Sequence, residues 1–170
     1  MITYRFAEEN DIPVILSLVR ALASYEHMED AVVATPELYH EWLFEKKIAR
    51  VLLAIDGENA VGFALFFYNF STWLGRAGIY LEDLFVLDEY RGQGIGKTLL
   101  KSLAKIAVSE GCGRLEWACL DWNEPSIAFY RAQGAVSMDE WTTYRLTGDA
   151  LTAFAAEEDK VIPHNSRLTP

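Results

Sequence analysis

A glycine-rich segment between an apolar strand and a helix constrains the fold more than any other feature of the chain. The segment Arg91-Gly92-Gln93-Gly94-Ile95-Gly96-Lys97 follows the apolar stretch 78–87, and apolar side chains at helical spacing follow it. Glycines adopt positive φ and let backbone N–H groups approach an anion, and the first turn of a helix adds unpaired N–H donors at its positive dipole end. The pattern therefore predicts a strand–loop–helix unit with a site for a pyrophosphate.

The spacing of the glycines disfavours two common nucleotide-binding loops. A Walker loop that ended at Gly96-Lys97-Thr98 would need a glycine at the position of Arg91. The dinucleotide fingerprint Gly-x-Gly-x-x-Gly belongs to an N-terminal βαβ unit, whereas here the glycines alternate as Gly-x-Gly-x-Gly and fall late in the chain. Neither loop explains the segment.

Apolar periodicity and turn residues predict alternating strands and helices along the 170 residues. Strands are expected at 2–6, 50–55, 60–70, 78–87, 114–120, 135–138 and 141–147. Helices are expected to end near residues 25, 45, 110, 131 and 158, with Thr35 and Asn123 as N-caps. This order predicts an α/β protein with a mixed sheet and helices on both faces. One domain is expected over 1–158, followed by a polar tail over 159–170.

Charge and composition exclude several classes of function. A net charge of −10 argues against nucleic acid as the main partner and tolerates a cationic one. Two cysteines and three scattered histidines offer no metal-ligand spacing, so we expect no metal site and a reducing, cytoplasmic environment. No apolar run approaches the ~20 residues that span a bilayer, so no membrane partner is expected.

The glycine segment also matches the signature Arg/Gln-x-x-Gly-x-Gly/Ala of the GNAT acyltransferases. The stretches 23–29, 80–86 and 122–130 resemble the diamine (spermidine/spermine) N-acetyltransferase branch of that superfamily, and the similarity extends from about residue 2 to 147. The resemblance implies a mostly antiparallel sheet of six to seven strands with a splayed central pair. It also implies an acetyl-CoA-dependent N-acetyltransferase that forms a homodimer, with the apolar segment 151–156 as a possible contributor to the interface.

The resemblance implies which residues bind acetyl-CoA. The pyrophosphate would be held by Arg91, Gly92, Gln93, Gly94, Ile95, Gly96 and Lys97. Backbone groups of Leu84, Phe85 and Val86 would pair with the pantetheine arm, since the strand before the loop splays from its neighbour. Asn123, Pro125 and Ser126 would touch the cofactor beside the next helix, with Tyr130 reaching its sulfur.

Acyl transfer to an amine needs a base, an acid and a polarised carbonyl. An alkyl ammonium of pKa near 10.4 costs about 4–5 kcal/mol to deprotonate at pH 7, and Glu82 is the candidate base, acting directly or through water. On a regular strand Glu82 and Leu84 share one face and Asp83 takes the other, so Glu82 would face the cleft. Tyr130 is the candidate general acid for the departing thiolate, and a backbone N–H near Phe85 would polarise the carbonyl.

For the acceptor, the resemblance implies Tyr25 and Glu26 between the first two helices, and Trp73 is added by its position before the cofactor strand. Carboxylates attract a cation, and aromatic faces add cation–π contact. Glu116-Trp117 and Thr142 depart from the diamine enzymes, so a thialysine-like amino acid competes with a polyamine as the acceptor. Two other functions stay open: acetylation of a peptide or protein N-terminus, and a non-catalytic CoA-binding sensor. Retention of Glu82 and Tyr130 argues against the sensor.

Overall fold

A computed structural model describes residues 1–156, which fall into two units, Met1–Ala118 and 119–156. The strands are β1 (Ile2–Phe6), β2 (Arg50–Asp56), β3 (Asn59–Ser71), β4 (Arg76–Val86) and β5 (Leu115–Trp117). The helices are α1 (Ile12–Tyr25), α2 (Pro36–Tyr39), α3 (Ile95–Ser109), α4 (Glu124–Arg131) and α5 (Gly148–Ala155). A π-helical turn, His40–Glu45, continues α2, and short 3₁₀ turns lie at Glu9–Asp11, Glu29–Ala31 and Asp88–Tyr90. The tail expected at 159–170 lies outside the described residues.

The first unit contains one open sheet in the order β1-β2-β3-β4-β5. Neighbouring strands are antiparallel except β4 and β5, which are parallel and joined through α3. The predicted mixed, mostly antiparallel sheet is therefore confirmed. It has five strands among the described residues, however, rather than the six to seven expected.

The two missing strands are those predicted at 135–138 and 141–147, and these predictions are wrong. Both stretches lie outside regular secondary structure, and the large side chains of Val136 and Tyr144 are exposed. The apolar alternation that suggested strands was real, but a strand also needs a neighbour to pair with its backbone groups. The strand predicted at 114–120 is likewise shorter than expected, because only Leu115–Trp117 pairs with β4.

Helices cover both faces of the sheet. On one face, Ile15, Leu18 and Leu22 of α1 pack in a cluster with Val51, Leu53, Ile55, Phe63 and Phe85. The intervening residues of β2, Leu52 and Ala54, are also buried and point to the other face. Helix α3 contacts β2, β3 and β4 and buries Leu99, Leu100 and Leu103. The central strands of the sheet are therefore buried on both faces.

A β-bulge interrupts β4 in the middle of this sheet. Leu65 of β3 pairs with Asp83 and the next residue, Phe66, pairs with Leu81, so Glu82 is the extra residue of β4. Cross-strand partners share a face, and Leu65 packs against the α1 cluster. Asp83 therefore lies on the α1 face, opposite to Leu81. The simple alternation that predicts opposite faces for Glu82 and Asp83 on a regular strand does not hold through residues 81–83.

Beyond the bulge, β4 loses its pairing with β5. The parallel ladder joins Ile79–Leu81 to Leu115–Trp117 and stops there, whereas pairing with β3 continues to Val86. Among the described residues, the ladder on the β5 side of β4 thus ends just before Glu82. A splayed strand pair, as expected from the sequence, requires such an early end.

Candidate active site

The glycine loop after β4 has the backbone of an anion-binding cradle. Gly92 and Gly94 have φ of 76° and 78°, and Gly94 is the N-cap of α3. A Cβ atom built on either glycine would meet no atom within 4 Å, so the space above the loop is open. The buried side chain of Ile95 anchors the first turn of α3, where Lys97 is exposed. The loop therefore fits a pyrophosphate by conformation, open space and charge.

The side chain of Arg91 is bound at the start of this loop. Its Nε donates a hydrogen bond to the carbonyl oxygen of Val86 at 3.0 Å, and its Nη2 lies 2.8 Å from Oδ1 of Asp88. The guanidinium carbon lies 4.5 Å from the centre of the Tyr25 ring. The predicted cofactor residue Arg91 is thus brought together with the predicted acceptor residue Tyr25.

An acidic pocket lies on the α1 face of β4 near this contact. The pKa of Asp83 is raised to about 6, first by burial and then by the negative charges of Glu82 and Glu26. Burial also raises the pKa of Glu26, which follows α1 directly. The pKa of Tyr39 is raised by burial and then by the charge of Asp83. These residues form a partly buried negative site that a cation would neutralise, and we call Glu26, Tyr39, Glu82 and Asp83 the acidic pocket.

The other residues predicted in the first unit are distributed along β4 and its turn. Phe85 and Val86 are buried and Leu84 is half-buried at the splayed end of β4. Trp73 is 86% exposed in the turn between β3 and β4. The extended strand from Arg76 to Asp83 alone spans about 23 Å, so this turn does not bring Trp73 to the acidic pocket within one chain.

The second unit presents its predicted residues at the start of α4. The side chain of Asn123 is buried and accepts a hydrogen bond from the backbone N–H of Ser126 at 3.2 Å, which confirms the predicted N-cap. Pro125 occupies the first turn, and the ring of Tyr130 lies 5.2 Å from that of Phe129. The roles of Asn123, Pro125, Ser126 and Tyr130 toward a cofactor stay predictions.

Comparison with known proteins identifies the family. Residues 15–135 match the model of the acetyltransferase (GNAT) family. The chain belongs to the GNAT family of acetyltransferases. The resemblance seen in the glycine loop and its flanking stretches is thereby confirmed, and so is the prediction of an enzyme whose co-substrate is acetyl-CoA.

Similar proteins share most of the length of this acetyltransferase. It is 38% identical to thialysine N-epsilon-acetyltransferase of Bos taurus over 165 residues, covering 90% of this chain and 96% of the relative. It is 50% identical to L-ornithine N5-acetyltransferase of Arabidopsis thaliana over 127 residues, covering 75% of this chain and 52% of that protein. The structure of an integron cassette protein from V. cholerae superposes with a TM-score of 0.79 at 27% identity, covering 92% and 98% of the two chains.

Two members of the acidic pocket, Asp83 and Tyr39, were not among the predicted site residues. The pair Glu82-Asp83 was noticed in the sequence, but the bulge that turns Asp83 toward α1 leaves no local signal. Tyr39 reads as an ordinary apolar position of α2, and it packs against the core cluster. Its proximity to Asp83 depends on how α2 folds over the sheet.

Residues 1–156 of this acetyltransferase contain neither a metal-binding group of side chains nor a membrane-spanning helix. Within that range, no group of three or more His, Cys, Asp and Glu side chains is arranged to hold a metal ion. Over the same range, no helix combines the length and apolar character needed to cross a membrane.

Proposed function

We propose that this acetyltransferase transfers the acetyl group of acetyl-CoA to a primary amine of a small cationic acceptor, by direct attack in a ternary complex. The observation that carries the proposal is the acidic pocket, where Asp83 and Glu26 are held on the α1 face of β4 close to the glycine loop. Bound acetyl-CoA supplies an activated thioester. The proposal takes residues 1–158 as one domain, within which the family match spans residues 15–135.

The residues proposed to hold acetyl-CoA are those implied by the family. The open glycine loop from Arg91 to Lys97 suits the pyrophosphate, because Gly92 and Gly94 have the positive φ that is typical of anion-binding backbone turns. Leu84, Phe85 and Val86 lie where β4 no longer pairs with β5, so their backbone groups are candidates to bind the pantetheine arm. Asn123, Pro125 and Ser126 are proposed to contact the cofactor beside α4.

A cationic acceptor fits the charge of the pocket. Buried carboxylates are stabilised by an opposite charge within about 4–6 Å, and a protonated amine supplies it. The relatives named above act on thialysine and L-ornithine, which are amino acids with a side-chain amine. We therefore favour an amino acid of this kind as the acceptor and keep a polyamine as the second choice. Tyr25 and Glu26 are proposed acceptor ligands, and Trp73 could contact the acceptor only from outside this pocket.

The same carboxylates can take the amine proton. A base works best when its pKa lies near the working pH, and a carboxyl of pKa about 6 is still mostly ionised at pH 7. Asp83 therefore joins Glu82 as a candidate base, and the exposed Glu82 can pass a proton onward to solvent. Tyr130 is proposed as the acid that protonates the departing thiolate, and its ordinary phenol chemistry suits that role.

We also propose that the enzyme works in the cytoplasm as a homodimer. Two cysteines, Cys112 and Cys119, are too few for a disulfide framework, which suits a reducing compartment. Helix α5 exposes Leu151 and Phe154, which are apolar side chains suited to an interface between copies.

The test is an acetylation assay on the purified protein. Acetyl-CoA is mixed in turn with thialysine, ornithine, lysine, putrescine, spermidine and a peptide with a free N-terminus, and thiol release is followed. We expect turnover on the amino acids with a side-chain amine. The Asp83→Asn variant should have an amine KM at least about tenfold higher than the wild type. The matched control is Asp56→Asn at the distant β2–β3 turn, which should leave the kinetics unchanged. Preference for the peptide would support an N-terminal acetyltransferase. Tight CoA binding without turnover on any amine would instead support a sensor.

A further inference from the structure

The side chain of Arg91 joins three elements of the first unit. Its hydrogen bond to Val86 and ion pair with Asp88 fix the guanidinium at the end of β4. The same guanidinium lies over the ring of Tyr25, the last residue of α1, and 5.5 Å from the centre of the Phe85 ring. Arg91 is therefore the first residue of the glycine loop and also a direct contact of α1.

The end of α1 is a place where such a contact matters. The backbone N–H of Met28 donates to the carbonyl oxygen of Ala23 at 2.8 Å, and His27 has φ of 58°. This is a left-handed helix ending, a conformation that residues other than glycine adopt only at a cost. Glu26, a member of the acidic pocket, lies between Tyr25 and His27. Its position depends on interactions that hold this turn in place.

Arginine is well suited to hold the turn. Its planar guanidinium can stack on Tyr25 while the Nε–H remains in plane and donates to Val86, and its positive charge lies near the negative end of the α1 dipole. A lysine side chain has no Nε–H and no plane, so it cannot make the stack and the hydrogen bond together. Replacing Arg91 with lysine thus keeps the charge but loses the combination of the stack on Tyr25 and the hydrogen bond to Val86.

We infer that Arg91 is a positioning residue for the acceptor amine. Through Tyr25 it holds the turn that carries Glu26, so that the loop proposed to bind the pyrophosphate and the turn proposed to bind the amine are mechanically connected. The identity of the two ligands rests on the proposed function, whereas the connection between the loop and the turn does not. Affinity for the amine should therefore depend on the side chain of Arg91, although Arg91 does not contact the amine.

A double-mutant cycle on amine kinetics tests the inference. The amine KM is measured at saturating acetyl-CoA for the wild type, Arg91→Lys, Tyr25→Leu and the double variant. Loss of the combined stack and hydrogen bond predicts that Arg91→Lys raises the amine KM by about three- to thirtyfold, a larger factor than its effect on kcat. The double variant should be no worse than Tyr25→Leu alone, because both substitutions remove the same contact. Arg20→Lys on an exposed position of α1 is the matched control and should leave the amine KM unchanged.

Hydrogen exchange separates failure of this inference from failure of the proposed function. Amide exchange of peptides that cover residues 22–28 should speed up by about three- to thirtyfold in Arg91→Lys and in Tyr25→Leu, and stay slow in Tyr25→Phe, which keeps the ring. This measurement needs no substrate. Unchanged exchange in Arg91→Lys would overturn the inference. So would an amine KM that Arg91→Lys leaves unchanged at saturating acetyl-CoA. The inference would also fail if the effects of Arg91→Lys and Tyr25→Leu on the amine KM multiplied in the double variant, as they do for independent residues. Absence of turnover in the wild type would count against the proposed function alone.

Discussion

Replacing Asp83 with asparagine should stabilise the folded protein at neutral pH. Its carboxyl has a pKa of about 6 in the folded state, compared with the ordinary value of 3.8 that the unfolded chain would have. Each unit of difference is worth about 1.4 kcal/mol, so ionised Asp83 costs the fold about 3 kcal/mol at pH 7. A buried asparagine amide also needs hydrogen-bond partners, which offsets part of the gain. We expect a net stabilisation of about 1–3 kcal/mol.

The pH dependence of this effect identifies its cause. Between pH 3.8 and about 6 the folded protein binds more protons at Asp83 than the unfolded chain does, so stability falls as the pH rises through this window. The Asp83→Asn variant lacks that slope. Its advantage over the wild type should therefore grow from about pH 4 to about pH 6 and stay constant above it.

The assay is urea denaturation at a series of pH values from 4 to 8, with the free energy of unfolding extrapolated to water. Asp30→Asn is the matched control, because Asp30 is exposed, and it should change the free energy of unfolding by less than about 0.5 kcal/mol. A difference between Asp83→Asn and the wild type that does not vary between pH 4 and 8 would refute the reasoning. It would mean that the carboxyl of Asp83 ionises alike in the folded and unfolded states.

Three further predictions concern the proposed site. Glu26→Gln removes a charge that raises the pKa of Asp83, so the acid limb of the pH dependence of the amine KM should move to lower pH. If that limb does not move, the charge of Glu26 does not influence the ionisation of Asp83. Gly94→Ala and Gly57→Ala both put a side chain on a positive φ and should each cost about 1–2 kcal/mol in denaturation, but only Gly94→Ala should weaken CoA binding in calorimetry. Tyr130→Phe should lower kcat by about 10²–10⁴-fold with little change in either KM, and an unchanged kcat would remove its role as the acid.

The parts of the fold predicted correctly are those set by short-range rules. Pro36 after the cap Thr35, and Pro125 after the cap Asn123, marked two helix starts that the structure confirms. The positive φ of Gly92 and Gly94 follows from the absence of a side chain, so the strand–loop–helix unit could be predicted from the sequence alone. Local chemistry therefore predicted the conformation of the loop that is proposed to bind the cofactor.

The parts that could not be predicted depend on distant residues. Whether 135–138 forms a strand depends on a neighbour at its edge, and an apolar pattern contains no information about that neighbour. The pKa of Asp83 depends on its burial and on Glu26, which is far away in sequence. The sequence showed that carboxylates were present at residues 82 and 83, but only the packed structure shows which of them is buried.

The bulge at Glu82 has a consequence for how this enzyme can change. Leu81 fills the core on one face of the sheet and Asp83 lies in the acidic pocket on the other, because one extra residue stands between them. Deleting Glu82 would restore regular pairing, whereas deleting Leu81 would bring Glu82 opposite the buried Phe66 and place a carboxylate in the core. Substitution of Asp83 can therefore change the proposed acceptor site and leave the core in place, whereas deletion of Leu81 would damage folding.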